Sequence, residues 1–151
     1  MLLDTEFREA EPALSPDGRW LAYTSNETGR FEIYVRPFPD IDDGKWQIST
    51  GVGFDTVWSP EGNALYFVAP AGLFVTGFET EPTVNFETPT LAVDSGGAFF
   101  GGTGRQYDIA PSGERFIVGT AQGAQTDDDG FIGLIVVENW FEELKARAPA
   151  P

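Results

Sequence analysis

Three times along this chain a Pro-x-Gly turn runs straight into an apolar segment, and a chain built on such a repeat folds by stacking copies of one unit. The turns are Leu14-Ser15-Pro16-Asp17-Gly18, Trp58-Ser59-Pro60-Glu61-Gly62 and Ile109-Ala110-Pro111-Ser112-Gly113. The runs that follow are Trp20-Leu21-Ala22-Tyr23, Ala64-Leu65-Tyr66-Phe67-Val68 and Arg115-Phe116-Ile117-Val118. A second strand-like segment comes after each: Phe31-Glu32-Ile33-Tyr34-Val35, Leu73-Phe74-Val75-Thr76-Gly77-Phe78 and Gly133-Leu134-Ile135-Val136-Val137. The turn prolines lie 44 and 51 residues apart, close to the period of about 40–50 residues of four-stranded propeller blades.

The turn has a physical reading. Proline presets φ at the first corner, Asp, Glu or Ser suits the second, and glycine takes the left-handed position that closes a three-residue hairpin with a bulge. The apolar runs do not alternate with polar residues, as expected of strands covered on both faces. The sequence therefore predicts an all-β chain, a β-propeller of four-stranded antiparallel blades stacked face to face, with three blades in residues 1–138. Their repeats cover about 11–50, 54–94 and 105–138. Strands are expected near 11–15, 19–25, 31–37 and 45–50, then 54–59, 63–69, 72–79 and 88–94, then 105–110, 115–121 and 131–138. The third blade lacks an outer strand, which residues 1–5 would donate, from the same chain or from another copy. A short C-terminal helix is expected over 139–147, N-capped by Asn139 with Glu142 in the capping-box position. Residues 148–151 form a tail.

Composition agrees with a turn-rich β protein: of 151 residues, 41% are hydrophobic, 18 are Gly and 11 are Pro. The absence of both Cys and His removes disulfides, thiolate nucleophiles, Cys/His zinc sites and a Ser-His-Asp triad. A net charge of −15 would repel nucleic acid and an anionic membrane surface, and favours a cationic ligand or partner. The start, MLLDTEFREAEP, lacks the apolar core of a signal peptide, and no apolar stretch reaches the roughly 20 residues that span a bilayer. The chain is expected to be soluble, with its compartment open.

Chemistry-bearing patterns are sparse. There is no nucleophile elbow, phosphate-binding Walker loop or zinc-protease helix, and no two carboxylates are singled out as a glycosidase pair. Asp127-Asp128-Asp129-Gly130 and Asp40-Ile41-Asp42-Asp43-Gly44 have the residue types for calcium, but read better as solvated connections. Gly96 to Gly104 is a glycine-rich connection without the Lys-Ser/Thr ending of a phosphate loop. Its Phe99 and Phe100 make either an apolar contact site or the filling of a joint. No catalytic residue, metal or cofactor is expected. In a propeller the Pro-x-Gly turns share one face, so Pro16, Asp17, Gly18, Pro60, Gly62, Pro111 and Gly113 are architectural. The loops entering each blade lie on the other face. A ligand or partner would there meet Arg8, Glu9, Arg30, Phe54, Asp55, Phe99, Phe100, Arg105 and Tyr107.

Ser15-Pro16-Asp17-Gly18, Leu21-Ala22-Tyr23 and Ile33-Tyr34-Val35 resemble the repeats of the TolB-like, WD-repeat-like β-propeller family. More narrowly, Tyr34-Val35-Arg36-Pro37-Phe38-Pro39 and Asn139-Trp140-Phe141-Glu142-Glu143-Leu144-Lys145 look like the C-terminal propeller regions attached to some bacterial serine/threonine protein kinases. The third turn departs from the pattern at Ala110 and Ser112. The resemblance implies a non-enzymatic module that binds or senses a protein or small ligand, in a location that can be extracytoplasmic. Alternatively, it implies the regulatory or gating propeller of a larger kinase or prolyl-peptidase-like hydrolase. Such propellers commonly have six blades. Three cannot close a ring, so either the chain is part of a longer propeller or a homodimer completes the ring, the latter being the expectation.

Overall fold

The computed structural model describes residues 3, 5–94, 105, 107–113, 115–121 and 132–138. Among them the fold is all-β and antiparallel, with one 3-10 turn at Ile41–Asp43. The expected helix over 139–147, the tail, the connection 96–104 and the acidic run 127–130 lie outside the described residues, as does most of 1–5.

Strands β1 (Glu9–Leu14), β2 (Trp20–Ser25), β3 (Glu32–Pro37) and β4 (Trp46–Gln47) form a four-stranded meander, each strand beside its sequence neighbour. A second sheet takes β5 (Phe54–Trp58), β6 (Ala64–Ala69) and β7 (Gly72–Glu79) in the same order. Its outer position carries the strand expected near 88–94 and, beside it, a short one that was not expected. It is shared by β8 (Asn85–Phe86), paired with Phe78 and Glu79, and β9 (Thr90–Asp94), paired with Gly72 through Val75. Pro89 falls between them and has no N–H to give to a ladder. The third sheet is β10 (Tyr107–Ile109), β11 (Arg115–Ala121) and β12 (Ile132–Glu138).

The unbroken apolar runs are explained by two cores, one on each face of the second sheet. Ala22, Ile33 and Val35 of the first sheet, with Ile48 just after β4, pack with Trp58, Leu65, Phe67 and Phe78 of the second. From its other face Tyr66, Val68, Leu73 and Val75 meet Tyr107, Phe116 and Val118 of the third. Successive side chains on β6 thus enter different cores, each fully buried residue contributing about 1.5–3 kcal/mol.

The three turns share one backbone geometry. Ser15, Ser59 and Ala110 each donate N–H to the carbonyl five residues on and accept from the glycine N–H three residues on, all at 2.8–2.9 Å. Gly18, Gly62 and Gly113 have φ of 70°, 73° and 73°, the left-handed region in which a Cβ is strained. The first two turns add a serine hydroxyl that accepts from the backbone: Ser15 Oγ from Trp20 N–H at 3.0 Å, and Ser59 Oγ from Ala64 N–H at 3.1 Å.

Candidate functional site

At the end of the sheets opposite the turns, the first strand of each of the first two sheets is interrupted by a bulge. The register of β1 on β2 shifts between Ala10 and Ala13, and that of β5 on β6 between Phe54 and Val57. Within these bulges Glu11 (φ 54°) and Asp55 (φ 53°) are the two non-glycine residues in the left-handed region among the described residues. Such a conformation costs about 1 kcal/mol or more and persists where surrounding contacts hold it.

Those contacts link the two bulges. The Glu11 carboxylate Oε2 accepts the backbone N–H of Asp55 and the hydroxyl of Thr24, each at 2.9 Å. The carbonyl of Asp55 in turn accepts the Tyr107 hydroxyl at 2.7 Å, so the third sheet braces the second as the second braces the first. Burial pushes the Asp55 carboxyl up from 3.8 to about 6; the Glu11 charge adds to the rise and Arg105 opposes it. Burial likewise holds the Tyr107 hydroxyl well above its ordinary value, with the Asp55 charge adding to it. Next to Asp55, Thr56 is buried, and its hydroxyl is without a hydrogen bond.

The rim of this end carries aromatic and cationic groups. The Arg8 guanidinium lies 5.7 Å from the centre of the Phe31 ring, and that ring stands 5.7 Å from Phe54. Arg8 is seated by its backbone N–H, which donates to Asn26 Oδ1 at 2.8 Å. Glu9 accepts the Thr5 hydroxyl. Arg30 is turned to its own sheet, bonding Glu32 at 2.9 Å and reaching the Thr50 carbonyl at 3.4 Å. Glu32 is buried, and its charge is also met by Thr28 and Gln47. Arg105 lies 3.7 Å from Asp108.

Of the residues expected to face a ligand, Arg8, Phe54 and Asp55 gather with Phe31 and Glu11 at this end. Tyr107 is buried beneath them as a strut, and Phe99 and Phe100 lie outside the described residues. Glu11, Phe31 and Thr56 were not among the expected set. Glu11 and Asp55 both stand five residues before a turn proline, a coincidence of position that the repeat offered as a signal.

A groove of about 450 Å³ also opens at the turn end, between Pro16, Trp20, Gly62 and Phe78. Its polar rim is satisfied within itself: Asp17 pairs with Arg19 at 2.7 Å, and Asn63 donates to Glu61 at 3.1 Å. The Trp20 and Phe78 rings meet edge to face, centroids 5.1 Å apart, as part of the packing between sheets. The bulged end is therefore the stronger candidate. Among the described residues no three His, Cys, Asp or Glu side chains converge as a metal site, and no helix is long and apolar enough to cross a membrane.

No family model matches the chain, and no curated protein matches it. Among solved structures it is similar to TolB from Acinetobacter baumannii, at 14% identity and a TM-score of 0.35, over 91% of this chain and 43% of that one. The chain thus spans less than half the length of that protein.

Proposed function

We propose that the chain is a non-catalytic binding module, three blades of a β-propeller, whose bulged end takes a cationic group of a protein or small ligand. The observation that carries this reading is the Glu11–Asp55 pair. Two acidic residues are held in strained backbone, one directly bonding the other's N–H, and Asp55 sits at about 6. A carboxyl raised by burial and a like charge is short of positive charge, and an ammonium or guanidinium brought beside it restores the ionised form. The net charge of −15 steers such a ligand in, and the half-buried rings of Phe31 and Phe54 offer it apolar contact. The lack of His and Cys along the sequence supports a binding role over a catalytic one.

The test is titration calorimetry with an acetylated, amidated di-arginine peptide, at about 0.15 M salt to screen the general field. Binding is expected at pH 7.5, weakened severalfold at pH 5 as Asp55 takes up a proton, with proton release on binding near pH 6. Glu11→Gln with Asp55→Asn should abolish most of it. Asp42→Asn with Asp43→Asn, which removes the same charge from the connection after β3, should leave it unchanged. Equal loss in both double variants would show attraction to net charge alone and defeat the reading.

A further inference from the structure

The contact between sheets is made twice within the chain with the same positions, and at both ends of the stack those positions are left open. Two residues before each turn proline stand Leu14, Trp58 and Ile109. Trp58 is 6% exposed and donates its indole N–H to the Ala13 carbonyl of the preceding sheet at 3.1 Å. Ile109 packs into the core formed with the preceding sheet. Leu14, in the first of the described sheets, is 50% exposed.

The opposite face repeats the pattern. Six residues after the prolines stand Ala22, Tyr66 and Ile117. Ala22 and Tyr66 face the following sheet and are 0% and 2% exposed, while Ile117 is 47% exposed. Three residues before the prolines, Ala13 and Val57 pack into the cores, but the Asp108 side chain is 71% exposed. Asp108 and Ile117 are cross-strand partners, so they form one patch.

The turns report the same continuity. A Cβ on Gly62 would touch Pro16 at 3.5 Å, and one on Gly113 would touch Pro60 at 3.9 Å, whereas nothing lies within 4 Å of Gly18. Each turn glycine abuts the proline of the turn before it, and Gly18 lacks that neighbour. The first sheet's leading face is not bare throughout. Leu21, Tyr23 and Tyr34 are already covered, with Leu3 and Phe38 packed on them. What is open is its turn-proximal part, Leu14 and Gly18.

We propose that a second copy of this chain occupies both ends, the Asp108–Ile117 patch and Pro111 of each copy seating on Leu14 and Gly18 of the other. The occupant is identified by continuity with an interface already built twice inside the chain: the open halves are the two complementary sides of one contact. Two copies make it twice about a two-fold axis. Three sheets from each then complete a ring within the range of about four to eight blades. This rests on the blade reading of the sheets and is independent of what binds at Glu11 and Asp55.

The experiment is sedimentation of the purified chain up to about 100 µM, since assembly depends on concentration. The expected mass is twice 16.5 kDa. Leu14→Asp and Ile117→Asp, both at exposed positions, should each give a monomer with an unchanged circular dichroism spectrum. An equimolar mixture of the two should regain association, because one intact contact remains between them. A wild-type monomer would overturn the proposal, as would Ile117→Asp remaining dimeric or the mixture remaining monomeric. Because the chain has no Cys, Leu14→Cys with Asp108→Cys adds a closure test: a covalent dimer supports the ring, and a ladder of longer multimers overturns it.

Discussion

The two ends of the sheets are stabilised in different ways. At the turn end each hairpin is held by bonds among residues within five positions of one another, and the same backbone pattern appears three times. At the bulged end the decisive bonds run between sheets: Glu11 to Asp55 across 44 positions, and Tyr107 to Asp55 across 52. The turn end is therefore a local construction that each repeat makes for itself. The bulged end exists only after the sheets have stacked, which is where groups distant in sequence converge into a site.

The largest effect that separates the two ends should come from Glu11→Ala. It removes a charged acceptor from the Asp55 N–H and the Thr24 hydroxyl, and should cost about 2 kcal/mol in urea unfolding. Glu11→Gln should cost less, since its amide oxygen still accepts. A loss from Glu11→Ala no greater than that from removing a turn hydroxyl would mean that the two ends are stabilised alike.

Next in size are the turns. Ser59→Ala deprives the Ala64 N–H of its side-chain acceptor and should cost about 1 kcal/mol. Ser15→Ala should cost a similar amount. The third turn already carries Ala110 and keeps the same backbone bonds, which is why these losses weaken the hairpin without abolishing it. Thermal melts of the two variants check this.

The smallest effect is on the pH profile, and the two ends pull in opposite directions. Asp17, at the turn end, is held down to about 2 by the Ser15 hydroxyl and then by Arg19. Its stabilisation is present above the ordinary 3.8 and is lost as pH falls toward 2. Asp55, raised to about 6, is protonated in the folded state before it is in the unfolded one. Its contribution is present below about 4 and fades as pH rises through 6. Asp55→Asn should therefore remove a decline in stability between about pH 4 and 6, and Asp17→Asn should flatten the profile below 4. Chemical denaturation across that range reads both.

Much of the fold was legible because its causes are local. Proline and glycine at fixed spacing specify a hairpin wherever they occur, and an apolar run without alternation means cover on both faces. The strand expected near 88–94 is there as Thr90–Asp94, but the short β8 beside it was not foreseen, because it is two residues long and defined only by its pairing with Phe78 and Glu79. That is a matter of pairing, not of propensity. The candidate site was legible only in part. Asp55, Phe54 and Arg8 fall where the first strand of a repeat begins, which the turn spacing locates. Tyr107 has the look of a contact residue, yet it is buried against the second sheet.

By itself, then, the sequence determined the repeat, the turns and the direction of each strand, since these follow from backbone restrictions a few residues long. Tertiary structure alone decided that Glu11 and Asp55 meet, that burial and proximity lift one carboxyl, and that Leu14 and Ile117 stay open while their counterparts are covered. The physical reason is that charge interaction and burial depend on distances in space, and those distances are set only when one sheet is laid against the next.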